Sequence, residues 1–203
     1  IVMDVRARGE EALREYSARF DGVELASLRL SPELLEGALG AVDASFRAAL
    51  EKAARQIRAF HERELEQSWF TTRADGTLLG VKVTPVRAAG IYIPGGRAQY
   101  PSTVLMNAIP AKVAGVERIV MVTPPQKDGD AATGGISPYT LAAAAAAGVD
   151  EIYTVGGAQA IAALAYGTET IAPVDVVTGP GNAYVAAAKQ LVSGDVGIDM
   201  VAG

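Results

Sequence analysis

From residue 76 onward, short runs rich in Val and Ile alternate with alanine-rich runs, and Gly or Pro marks each junction. That rhythm restricts the fold to an α/β sheet. The spacing predicts strands at 87–93, 118–123, 151–155 and 174–178. Their near-continuous apolar character fits a parallel sheet with helices on both faces. Ser102 is expected to cap a helix running through 104–114, with Pro110 kinking it. Ser137-Pro138 opens another, which takes in the alanines of 142–147 and stops at Gly148. The stretch 123–137, rich in Gly, Pro, Asp and Lys, reads as a flexible surface loop.

The beginning of the chain obeys a different pattern. Residues 1–75 hold 25 charged side chains and four Gly, against 16 and 18 in residues 76–203. The chain therefore divides into an N-terminal helical region, 1–75, and a sheet-bearing region, 76–203. A helix follows the break at Gly9 and stops at Asp21-Gly22, and Ser31-Pro32 opens a second. A third, over about 43–66, aligns Phe46, Leu50, Ala54 (or Ala53), Ile57 and Leu65 in one stripe. His61 lies at the edge of that stripe and reads as a partly buried neighbour of the charged face, not as a catalytic group.

Composition excludes several chemistries. With no Cys, the chain can form no thiol nucleophile, disulfide or Cys-ligated zinc site. Its single histidine cannot build a multi-histidine metal cage. A net charge of −5 argues against nucleic-acid and membrane partners. No window approaches the roughly 20 apolar residues that span a bilayer, and the charged opening does not read as a signal peptide. A cytoplasmic protein is expected. The start at Ile1 and the close just after an apolar run read as a trimmed chain.

Three strand-to-helix junctions share one grammar: Pro94-Gly95-Gly96, Gly156-Gly157-Ala158-Gln159 and Gly179-Pro180-Gly181-Asn182. In a parallel sheet all three belong at the carboxyl edge, where ligands bind. The amides of the first helical turn there favour an anion such as a pyrophosphate. Glycines also serve simply to turn the chain, but three such junctions in one sheet, two followed by a carboxamide, favour a nucleotide site. Gln159 and Asn182 both donate and accept hydrogen bonds. Tyr92 brings an aromatic ring to the same edge, although strand aromatics are usually core. Arg97 and Lys189 are plausible anion contacts, yet solvated surface positions suit both better. The usual dinucleotide fingerprint is not met, because Tyr184 stands where its third Gly or Ala belongs. Asp199, 18 residues beyond Gly181, is only weakly placed as a ribose-binding acid. There is no GxxxxGK[ST] loop. Residue reasoning reaches a nucleotide-sized crevice and no reaction.

The strings GIYIPGG (90–96), PSTVLMN (101–107), VGGAQAIAALA (155–165), GPGNA (179–183) and IDM (198–200) resemble the histidinol dehydrogenase family, and the resemblance extends over essentially the whole chain. It implies an incomplete Rossmann-like parallel sheet, preceded by helices, and oxidation of L-histidinol to L-histidine through histidinal with two NAD reduced in turn. It further implies zinc and an intertwined homodimer. Carried over by position, the family's NAD contacts fall on Tyr92, Gln159 and Asn182. The resemblance also implies that the zinc ligands and the Glu-His proton-transfer pair lie outside this chain, truncated at its C-terminal end. No catalytic or metal residue is therefore assigned, and the chain alone is expected to be inactive. A non-catalytic nucleotide-binding or interaction module on the same scaffold is the alternative. An aldehyde-dehydrogenase-like enzyme is ruled out for want of a cysteine nucleophile.

Overall fold

The computed structural model describes residues 1–22, 27–95, 99–126 and 128–201. Helices α1 (Val2–Arg8), α2 (Glu10–Asp21), α3 (Pro32–Gly37) and α4 (Ala44–His61) come first, with a 3₁₀ turn, Ala38–Gly40, after α3. A hairpin follows, β1 (Trp69–Thr72) and β2 (Leu78–Val81). The remainder alternates: β3 (Ala88–Tyr92), α5 (Pro101–Val113), β4 (Arg118–Thr123), α6 (Pro138–Ala147), β5 (Glu151–Thr154), α7 (Gly157–Tyr166), β6 (Val176–Thr178), α8 (Ala183–Val192) and β7 (Gly197–Ile198). The expected α/β architecture is the one observed.

All pairings in the main sheet are parallel, in the order β5-β4-β3-β6-β7. Strands β3, β4 and β5 are covered on both faces, which is why they carry no polar alternation. On one face Ala88, Tyr92, Val120, Val122 and Tyr153 join a core with α1, α2, α7 and α8. On the other, Ala89, Ile91, Ile119, Met121 and Ile152 pack with α4, α5 and α6. The N-terminal helices therefore complete both outer layers. Gly90 in the central strand permits this density, since a Cβ there would lie 2.9 Å from the Leu164 methyl groups of α7. The winding reverses between β3 and β6, and that reversal leaves a crevice beyond their carboxyl ends.

Segment 28–30 runs along the free edge of β5. Leu30 N–H donates to Ile152 O at 2.9 Å, and Thr154 N–H to Leu28 O at 2.7 Å. This edge is thereby paired and cannot recruit another strand.

Several local expectations need correction. Tyr100, not Ser102, is the N-cap residue of α5, with Pro101 in its first turn. The helix runs through Pro110 to Val113, as read. The carbonyl that Pro110 leaves without an amide donor belongs to Met106, a residue on the solvent side at 55% exposed. Helix α4 ends at His61, so Leu65 lies beyond it, at 52% exposed. The 123–137 stretch is more ordered than a surface loop: it holds a 3₁₀ turn, Ala131–Thr133, and buries Pro125, Ile136 and Ser137. The hairpin was not expected at all. It pairs Trp69 with Val81 through to Thr72 with Leu78, and residue 75, where the chain was divided, lies in its turn.

Candidate functional site

Beyond the carboxyl ends of β3, β5 and β6, the three glycine-bearing junctions meet. Close backbone approach packs them together. A Cβ on Gly156 would lie 2.5 Å from the Cβ of Pro124. One on Gly179, whose φ is +109°, would lie 2.2 Å from the carbonyl oxygen of Tyr92. Neither position admits a side chain. Among these turns lies a pocket of about 980 Å³, at the upper end of the range for small-molecule and cofactor sites. Tyr92, Gln159 and Asn182 all line it. Gly96 and Arg97 lie outside the described residues.

Tyr92 belongs to both the core and the pocket. Its ring is 4% exposed and packs in the same cluster as α7, while its hydroxyl accepts a 3.1 Å hydrogen bond from Gly157 N–H. Burial pushes its pKa above the ordinary value. The phenol stays neutral and keeps its own proton to donate.

Gln159, in the first turn of α7, is 1% exposed, and its Nε2 has no hydrogen-bond partner among the described residues. Leaving a buried donor unmatched costs about 1–3 kcal/mol. In a pocket wall such a group marks where a ligand supplies the acceptor. The amides of Ala158 and Gln159 likewise meet no acceptor among the described residues, so the start of α7 keeps anion-binding capacity.

Asn182 is differently placed from the expectation. It is the N-cap of α8, and its Oδ1 accepts from Tyr184 N–H at 3.0 Å and Val185 N–H at 3.1 Å. Its carbonyl and two helix amides are therefore occupied. What Asn182 offers a ligand is its NH₂ alone.

Lys189 and Asp199 are corrected together. Lys189 is fully buried, neither solvated nor in the pocket lining. Its Nζ donates to Gly179 O at 3.0 Å and to Asp199 Oδ1. Asp199 Oδ2 in turn accepts from Gly179 N–H at 2.9 Å. The pair clamps the turn after β6 from both sides, and neither residue lines the pocket. An ammonium without water requires this full set of partners. His61 pairs with Glu64 at the end of α4, also away from the pocket.

One pocket residue was missed. Asp21 ends α2, and the packing of α2 on α7 brings it to the pocket wall beside Tyr92. Its Oδ2 is buried without a partner among the described residues. Desolvation raises its pKa to about 6. In the sequence Asp21-Gly22 read only as a helix stop. The available signal was an acid at a helix C-terminus, where the dipole disfavours negative charge.

A family model described as histidinol dehydrogenase matches residues 1–203. Histidinol dehydrogenases of Bacillus subtilis (strain 168) and Geobacillus kaustophilus (strain HTA426) are each 57% identical over 203 residues, covering 100% of this chain and 46% and 47% of their own lengths. The solved structure of histidinol dehydrogenase from Elizabethkingia anophelis superposes with a TM-score of 0.90 at 38% identity, covering 100% of this chain and 46% of that one. The chain thus spans about half the length of the curated relatives it matches.

The raised pKa of Asp21 makes a stability prediction. A carboxyl whose folded pKa, about 6, exceeds its ordinary 3.8 destabilises the fold when ionised. That penalty is full above about pH 6 and absent below about pH 4. Asp21→Asn is expected to raise the thermal midpoint at neutral pH, with the gain shrinking as pH falls through this window. Thermal melts across pH would contradict this if the variant were less stable at neutral pH.

Proposed function

The chain belongs to the histidinol dehydrogenase family, and from that premise we propose that it carries the coenzyme side of an enzyme oxidising L-histidinol to L-histidine through histidinal, with NAD as oxidant. The observation that carries the coenzyme assignment is the buried, unpartnered Nε2 of Gln159 in the wall of a pocket shared with Tyr92 and Asn182. NAD, when bound, supplies the hydride acceptor. This chain's part is to bind and orient it.

The polar groups present suit that task. Gln159 Nε2 needs an acceptor, and the ribose and carboxamide oxygens of NAD provide several. Asn182 offers its NH₂ and Tyr92 its hydroxyl proton, both to acceptors. The amides of Ala158 and Gln159 at the N-terminus of α7 suit the pyrophosphate oxygens. Pro94, Pro124 and Pro125 line the pocket and bring no N–H of their own.

Zinc belongs to the proposal on family grounds alone. Among the described residues no group of three or more His, Cys, Asp or Glu could hold a metal ion. Its ligands would lie outside this chain. A cytoplasmic location likewise rests on the biosynthetic role of the family. Among the described residues no helix is long and apolar enough to cross a membrane.

The proposed assembly is a homodimer. Every residue of the β1–β2 hairpin is exposed, Trp69 at 56%, Phe70 at 59% and Leu78 at 64%. A lone two-stranded hairpin is marginal in water, and uncovered apolar surface of this kind marks an association site. A partner subunit is the proposed cover.

Three outcomes are expected. In the intact protein, Gln159→Ala should weaken NAD binding by about tenfold and leave histidinol binding nearly unchanged. Calorimetric titration giving the reverse pattern would refute the assignment. The 203-residue chain alone should form no NADH from histidinol, and steady NADH absorbance would contradict the proposed division of labour. Light scattering of the intact protein should report a dimer that Trp69→Asp with Phe70→Asp disrupts; a monomeric parent, or an unaffected dimer, would count against the hairpin's role.

A further inference from the structure

Two buried polar atoms in the pocket wall lack partners among the described residues: Gln159 Nε2, a donor, and Asp21 Oδ2, an acceptor. The proposed function uses the first and leaves the second unexplained. Asp21 sits at the last position of α2, where the helix dipole opposes its charge. Among the described residues it joins no ion pair. An ionised carboxyl only accepts, so its unmatched oxygen suits a donor from a ligand.

The other pocket groups narrow what that donor is. The phosphates of a dinucleotide only accept. Its exocyclic amides and amines present N–H from a single nitrogen, whereas each ribose diol presents two adjacent O–H donors, which suits the two oxygens of one carboxylate. The charged side chains of the described pocket lining are those of two acids, Asp21 and Asp128. A 2′-phosphate placed beside Asp21 would meet like charge.

We propose that Asp21 accepts a hydrogen bond from a ribose hydroxyl of the coenzyme, and that its charge is what excludes a 2′-phosphorylated coenzyme from this pocket. The inference rests on the NAD reading above and adds the residue that sets coenzyme choice. It also accounts for a helix from the N-terminal region reaching the rim of the sheet.

The test is calorimetric titration of the intact protein and its Asp21→Asn, Asp21→Glu and Gln159→Ala variants with NAD, NADH and NADP. The unaltered protein should prefer NAD to NADP. Asp21→Asn should lower that preference by about tenfold, by weakening NAD and admitting NADP, while shifting NAD and NADH together. Asp21→Glu keeps the charge and should still reject NADP. A melting temperature for Asp21→Asn no lower than the parent's will show that folding is intact. An unchanged NAD-to-NADP ratio would overturn the inference. So would a change in the NAD-to-NADH ratio alone, which would assign the carboxylate to the cationic nicotinamide ring. Should the parent bind no NAD, the proposed function fails and this inference with it. NAD binding that Gln159→Ala weakens, beside an Asp21→Asn variant with an unaltered ratio, sinks this inference only.

Discussion

A parallel strand must bury both of its faces, and the architecture follows from meeting that requirement. Helices α7 and α8 cover one side and α5 and α6 the other, but a five-stranded sheet leaves room beside them. The N-terminal helices fill it, α1 and α2 against α7, and α4 against α5. With both faces closed, and the β5 edge occupied by segment 28–30, the carboxyl rim is where backbone still faces a cavity. The site lies there because all strands point the same way. Each delivers its turn to one end, and glycines let three turns converge where side chains would collide.

At the rim, polar groups fall into two sets. Lys189, Asp199 and the carbonyl of Asn182 are bonded within the protein and tie down the turn after β6. Gln159 Nε2 and Asp21 Oδ2 are buried and unmatched among the described residues. The first set gives the turn after β6 a fixed shape; the second leaves a donor and an acceptor of defined position. A site that must orient a ligand needs both, because unmatched groups on a mobile turn would simply find each other or water.

The sheet was legible in the sequence because two-sided burial writes itself as unbroken apolar runs: β4 begins and ends where the spacing puts it, at Arg118 and Thr123. Gly22 and Gly148 ended their helices as read, both in the left-handed conformation. The convergence of Tyr92, Gln159 and Asn182 on one pocket followed from junction grammar together with the family resemblance. What escaped was set by contacts between distant segments. Nothing local says that Lys189 is buried, since its partners Gly179 and Asp199 are each ten residues away along the chain. The hairpin did carry a signal, Asp75-Gly76 between two apolar runs, but the charge count placed a boundary at that turn. Asp21 was out of reach for a different reason: 71 residues separate it from Tyr92, and only the packing of α2 on α7 joins them.

That last contact changes what the N-terminal helices are for. Read by charge density they form a region apart from the sheet. In the fold they share its core, with Val5, Ala12 and Leu13 buried in the cluster that holds Tyr92 and Val185. A helix packed this tightly moves with the layer beneath it, so the position of Asp21 relative to Gln159 is set by the rigid contact between α2 and α7 and not by a loop. Leu13, fully buried in this core, does not itself line the pocket. Stability and ligand geometry are coupled along α2 because one helix supplies both an apolar face to the core and, at its final residue, a carboxylate to the pocket.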